Sequence, residues 1–397
     1  MTDDEAGRIG ENVRAARRAR GMSLEVAAGL IGRTKGWLSR IENGRLRLER
    51  RSDIAALAQA LEVSADSLLG MPAPEIRPDR RRFSLVRLQS VLLDAAPDDP
   101  PDVRARPLPV LRAELVRSDQ ALCQADYTTV MQALPGVIGE LCVHVATADT
   151  AGRAEALKLL IRAYGSDSTC TLRHLGETNL ARVSGERARE AANLLGDPVW
   201  TGAAAFGRAH ARSSANRPRA LMTSPQAADA VGAHIGNSRF AREVYGMLRL
   251  SAALACEIDG DHGGARQNAA EAAQVAAPLG DSPDAWELFG PANVGVWRAS
   301  LAVEAGEPGE ALTYADQVEP RALASGNRRA ALRVERARAH AMLDHDAQAV
   351  RELRQAERLS PQQVHNHPLV RELVADLMTR AQSRDLRGLA WRMNVAG

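Results

Sequence analysis

Lys35, Ser39 and Arg40 fall within about one and a half helical turns, and with Gly36 they would share one face of a helix. Leu38 and Ile41 would take the opposite face and hold that helix against a core. An α-helix fits the DNA major groove, where Lys or Arg donors reach the N7 and O6 acceptors of guanine. The charge around these residues suits such a partner. Arg8 to Arg51 contains twelve Lys or Arg against Glu11, Glu25, Glu42 and Glu49, a surplus of eight, although the 397-residue chain carries only +2. Six acids within the first 70 residues (Asp3, Asp4, Glu5, Asp53, Glu62 and Asp66) border this cationic stripe. A bounded stripe of one sign points to an oriented polyanion.

Short helices must position these groups. The pattern predicts a first helix from about Glu5 to Arg20, with Ile9, Val13 and Ala16 inward and Arg14, Arg17 and Arg18 read as a solvated outer face. Gly21 ends it. Ser23 caps a second helix that runs through Ile31, and Gly32 supplies the turn. Thr34 caps a third, Lys35 to Glu42, which Asn43-Gly44 closes. Ser52-Asp53 opens a fourth with Ile54, Leu57, Ala58 and Leu61 at helical spacing, and Ser64 opens a fifth ending at Leu69-Gly70. Two helices joined by a short Gly-containing turn, the second polar outside, form a helix-turn-helix pattern.

The stretch Met22 to Gly44, ending in Ser39-Arg40-Ile41-Glu42-Asn43-Gly44, with the Ser52–Leu61 helix and Ser64–Gly70, resembles the Cro/XRE helix-turn-helix family. The resemblance covers about 65 residues and implies a five-helix, lambda-repressor-like domain that binds double-stranded DNA. It implies base reading by Lys35, Gly36 and Arg40, with Ser39 beside them, and phosphate contacts near Thr34, Trp37, Asn43 and Arg45. Trp37 could equally pack at the edge of the core. Arg45, Arg47, Arg50 and Arg51 follow the reading helix and are further phosphate candidates. Leu24 stands where family members often carry a DNA-contacting Gln, and Gly36 has no side chain to read with. Specificity would then rest on Lys35, Arg40 and DNA shape.

Residues 1–70 are thus expected to form the DNA-binding domain. Residues 71–82 form a linker, with three prolines between Met71 and Asp79 and then Arg80-Arg81-Arg82. Residues 83–397 read as helix after helix, interrupted by a Pro-rich loop from Pro97 to Pro109. Small residues recur at separations of twelve and seven, as Ala337, Ala349 and Ala356 and again as Ala253, Ala265 and Ala272. Gly176 with Ala188, and Ala299 with Ala311 and Val318, are looser copies. Gly260-Asp261 and Gly306-Glu307 fall where turns between paired helices belong. These spacings resemble the tetratricopeptide repeat, although the intervals between units are irregular. The expectation is an all-α chain whose second part is a TPR-like α-solenoid of five or six hairpins. The combination resembles multi-helix XRE-type regulators of actinobacteria. That implies a homodimer whose array binds a peptide, small-molecule or protein partner in its concave groove. Asn179, Asn268 and Asn293 are candidate ligand residues, as are Trp286 and Trp297 in a chain only 3% aromatic. Surface Asn and core packing are the plainer readings.

Cys123, Cys142, Cys170 and Cys256 form no CxxC pair, which suits reduced cytosolic thiols. No apolar segment follows Met1 and no run of about 18 apolar residues appears, so a cytoplasmic protein without a membrane span is expected. His365-Asn366-His367 lacks a third ligand and reads as a loop, so no metal or cofactor is expected. No phosphate loop or nucleophile–base pair can be argued, and the residues make no case for an enzyme. The rival functional reading is an interaction adaptor that recruits another regulator through the array.

Overall fold

The structure, a computed structural model, describes residues 3–46, 48, 51–63, 68, 80–211, 221–381 and 383–395. It is helical, with no strand among the described residues and a single isolated bridge, Ala96 to Asp99. Two compact units make up the chain. One joins Met1–Asp79 to Arg371–Gly397, and the other is Arg80–Val370.

The first unit opens with α1 (Asp3–Ala19), α2 (Leu24–Leu30), α3 (Lys35–Glu42) and α4 (Arg51–Leu61). Ile9, Val13, Ala27, Ala28, Leu38, Ile41, Leu57 and Leu61 form its apolar core. α3 has the bounds expected from its capping residues. The fifth expected helix lies outside the described residues, except for Leu68, which is helical and buried. So does the linker at 71–79, whereas Arg80–Arg82, expected as linker, begin the next helix.

The unit also holds the chain's last residues, which the sequence assigns to the repeat domain. α21 (Arg384–Arg392) buries Leu386, Leu389 and Ala390. Around it Arg20 reaches Glu62 at 3.1 Å and Asp385 at 3.6 Å, and Arg392 reaches Glu62 at 3.2 Å. Arg371 donates to the Met393 carbonyl. Local patterning cannot supply the partner of α21, because that partner lies more than 300 residues away.

The second unit runs through α5 (Arg80–Asp94), α6 (Leu108–Cys123), α7 (Tyr127–Thr147), α8 (Thr150–Arg162), α9 (Thr169–His174), α10 (Thr178–Leu195), α11 (Pro198–His210), α12 (Ser224–Gly232), α13 (Arg239–Asp259), α14 (His262–Ala276), α15 (Pro291–Glu304), α16 (Pro308–Gln317), α17 (Gly326–Met342), α18 (Asp346–Leu359) and α19 (Pro361–Asn366). α20 (Pro368–Arg380) carries the chain from this unit back to the first. α7 is long and apolar enough to cross a membrane by length and composition. Here its Val130, Leu134, Ile138 and Leu141 are fully buried against neighbouring helices.

Successive helices pack mainly on their neighbours, as a solenoid-like region requires. The recurring small residues explain how closely they approach. Ala253, Ala265 and Ala272 are buried between α13 and α14, and Ala337, Ala349 and Ala356 between α17 and α18. Gly260 and Gly306 adopt left-handed backbone, φ +81° and +78°, at the turns where they were expected. Gly176 also sits in a turn rather than between helices. His365 and Asn366, expected in a loop, belong to α19, where His365 pairs with Glu357 at 2.8 Å.

Two features depart from a regular array. Between α8 and α9 the helix widens into a π-helical turn, Ala163–Ser168. The Tyr164 carbonyl there accepts from the hydroxyls of Thr169 and Ser184, both at 2.8 Å. That carbonyl also accepts the Thr169 amide, so the two hydroxyls add to the wider turn's own backbone bond. The other departure is a buried clasp. Tyr127 at the start of α7 donates to Asn327 at 2.8 Å and bonds His174 at 2.9 Å and Ser360 at 3.1 Å. Asn366 donates to the His174 carbonyl at 2.9 Å. Early helices of this unit are therefore bonded to its last ones, 192 or more residues away in sequence, where an open solenoid would touch only neighbours. Burial holds the His174 imidazole neutral and pushes the Tyr127 phenol up, so the clasp is uncharged.

Candidate nucleic-acid interface

α3 is built by its two caps. The Thr34 hydroxyl accepts from the Trp37 amide at 3.2 Å and starts α3. Gly32, with φ +66°, makes the preceding turn, and the Ser23 hydroxyl caps α2 through the Val26 amide at 3.2 Å. At the other end Asn43 donates to the Ser39 carbonyl at 2.7 Å. Leu38, Ile41 and Glu42 then face inward and are buried, while Thr34, Lys35, Gly36 and Arg40 are exposed and Ser39 is half-buried.

The buried acid is the residue that sequence reasoning missed. Glu42 receives both forks of Arg17, Nε at 2.5 Å and Nη2 at 2.8 Å, and Arg17 also donates to the Met22 carbonyl. This pairing raises the Arg17 guanidinium above its ordinary pKa. Arg14 donates to the Glu42 carbonyl at 2.9 Å and to the Asn43 side chain at 2.5 Å. Arg14 and Arg17 are thus structural rather than a solvated face; of the three, only Arg18 is exposed. The signal was present, since Glu42 sits beside Ile41 on the inward face and an inward acid needs a cation.

Gly10 completes the joint. A side-chain carbon there would press into the Ile41 carbonyl oxygen, so the glycine lets α1 lie directly on the end of α3.

The expected DNA residues divide accordingly. Lys35 pairs with Glu25 at 2.8 Å, and among the described residues Arg40 donates only to the Gly36 carbonyl at 3.3 Å. Both partnerships lie at the surface, where an ion pair is worth about 0 to 1 kcal/mol. These two side chains can therefore turn to another partner at little cost. A side chain at Gly36 would meet nothing within 4 Å, so packing does not require glycine there. Trp37 is half-buried at the core edge with the Arg33 guanidinium 5.3 Å from its ring, which favours its packing role. Arg33 itself is held by Asp53 at 2.8 Å. Asn43 is committed to Ser39 and Arg14, Arg45 is exposed, and Arg47 lies outside the described residues.

The candidate ligand residues are not gathered together. Asn179 is exposed on α10, and Asn268 donates to the Gly264 carbonyl of its own helix. Asn293 is buried and donates to the Glu287 carbonyl at 3.0 Å. It lines a cavity of about 10 Å³ that none of the other four touches. Trp286 packs edge-on against Phe206 and Phe240, and Trp297 against His210. Both rings belong to the apolar core of the second unit.

A family model described as a helix-turn-helix domain matches residues 8–69. No curated protein and no solved structure matches the chain. The match makes the N-terminal module a helix-turn-helix domain and supports DNA as its partner.

Proposed function

We propose that this chain is a sequence-specific transcriptional regulator that binds operator DNA as a homodimer through α3, under the control of an effector bound by the helical unit. The observation that carries the DNA-reading part is the division of labour on α3. Glu42, Leu38 and Ile41 are consumed by the fold, whereas Lys35, Gly36 and Arg40 stand exposed on one face with only surface partners among the described residues. Lysine and arginine in that position suit guanine edges in the major groove, and Arg45 just beyond the helix suits a phosphate. Two-fold symmetry would place half-sites about ten base pairs apart on one face of the DNA. Effector binding would change the placement of the two reading helices, and a shift of a few ångströms is enough to lose that spacing.

Genome-wide occupancy of the tagged protein, compared with a Lys35→Ala/Arg40→Ala double variant, tests the reading. Discrete sites sharing an inverted repeat and lost in the variant are expected, with the melting temperature nearly unchanged. Sites that persist in the variant would remove α3 as the reader. No sites at all would favour the adaptor.

A further inference from the structure

A groove of about 300 Å³ opens between α17 and α18, bordered by Pro320 of the short turn before α17. Its walls are two facing stripes at helical spacing. Arg329, Leu332 and Arg333 come from α17, and Gln355, Arg358 and Leu359 from α18. The volume lies at the lower end of the range of small-molecule sites, about 300 to 1,000 Å³.

The lining has one sign of charge. Arg333 is neutralised by Glu352 at 2.9 Å. The Arg329 side chain makes no hydrogen bond or ion pair among the described residues, and its Nε is buried without a partner. Arg358 is exposed and likewise makes none. No carboxylate lines the groove. Arg329 and Arg358 thus bring two guanidinium groups without partners among the described residues to one groove, and the Arg fork matches the two oxygens of a carboxylate. Leu332, Leu359 and Pro320 offer hydrocarbon to the remainder of the ligand.

We infer that this groove binds a small amphipathic carboxylate, its head group held by Arg329 and Arg358 and its aliphatic part laid against Leu332 and Leu359. The site deepens the effector reading above and depends on it only for any consequence at the operator. Such a ligand could be a free aliphatic acid or the carboxyl end of a peptide.

Titration calorimetry on the full chain tests the site with octanoate, octanol and octylamine, and with N-acetyl-leucine and its amide. Octanoate should bind at least tenfold more tightly than octanol or octylamine. An Arg329→Gln/Arg358→Gln double variant should lose at least tenfold in octanoate affinity while keeping its helical circular dichroism and melting temperature. Binding of N-acetyl-leucine but not its amide would point to a peptide end as the source, and octanoate alone to a free acid. No octanoate binding at millimolar concentration, equal binding of octanol, or undiminished binding by the folded double variant would each overturn the proposal. Operator affinity measured with and without octanoate separates the two ideas. Binding without any change at the operator would keep the site and discard the effector role, whereas absent binding would discard this site alone.

Discussion

Arg17 and Arg40 lie in the same small module, yet one serves the fold and the other is left for a partner. Arg17 is buried with both its forks on Glu42. Removing one side of a buried pair strands the other charge, so Arg17→Ala should cost about 3 to 5 kcal/mol in chemical denaturation. A loss under about 1 kcal/mol would mean that Glu42 is solvated. At Gly36 packing imposes no demand, so Gly36→Gln should leave stability within about 1 kcal/mol of the parent and still weaken operator binding, because a side chain would stand where the helix meets the groove. Unchanged operator affinity would show that α3 does not approach DNA closely at this position. The charge stripe was legible in the sequence, but which arginines it leaves free was not. That depends on an acid whose inward aim is fixed only when α1 packs on α3.

At the scale of helices, close approach decides what substitutions are tolerated. Gly10→Ala improves helix propensity locally but drives a methyl group into the Ile41 carbonyl. It should therefore destabilise by about 1 to 3 kcal/mol, measured by urea denaturation. A stabilised variant would refute the tight α1–α3 joint. In the second unit the π-helical turn carries Asp167, fully buried and with neither carboxylate oxygen hydrogen-bonded. Burial raises its pKa from the ordinary carboxyl range to about 7, against the pull of Arg162 and with some help from Glu287. The folded state then holds a proton that the unfolded chain has already released. Stability from this group is present at pH 4 and is lost progressively as pH rises through about 7. Asp167→Asn should accordingly stabilise the protein, by a margin that grows from pH 4 to pH 7 and then levels off in melting experiments. A margin independent of pH would show that Asp167 is ionised throughout. Small-residue spacing revealed the helical hairpins, since Ala at those positions has no other use. The π-helical turn was not legible, because nothing in its local pattern distinguishes it from continuous helix.

For the whole molecule, the chain's end contributes to the unit that begins it. Burying Leu386 and Leu389 contributes about 1.5 to 3 kcal/mol each, and the Arg20–Glu62–Arg392 contacts add polar bonds beside them. Deleting residues 384–397 should lower the melting of the DNA-binding unit by several degrees in calorimetry and leave the transition of residues 80–370 in place. An unaltered N-terminal transition would show that the unit folds without its C-terminal helix. The sequence by itself determined the helix-turn-helix module, the bounds of α3 and the all-α character of the rest. Those features follow from caps, turn glycines and apolar periodicity, all of which act within a few residues. Tertiary structure alone decided that α21 joins the first unit, that Tyr127 meets Asn327 and Ser360, and that Arg329 and Arg358 share one groove. Each of these depends on contacts between residues far apart in the chain, which local spacing does not encode.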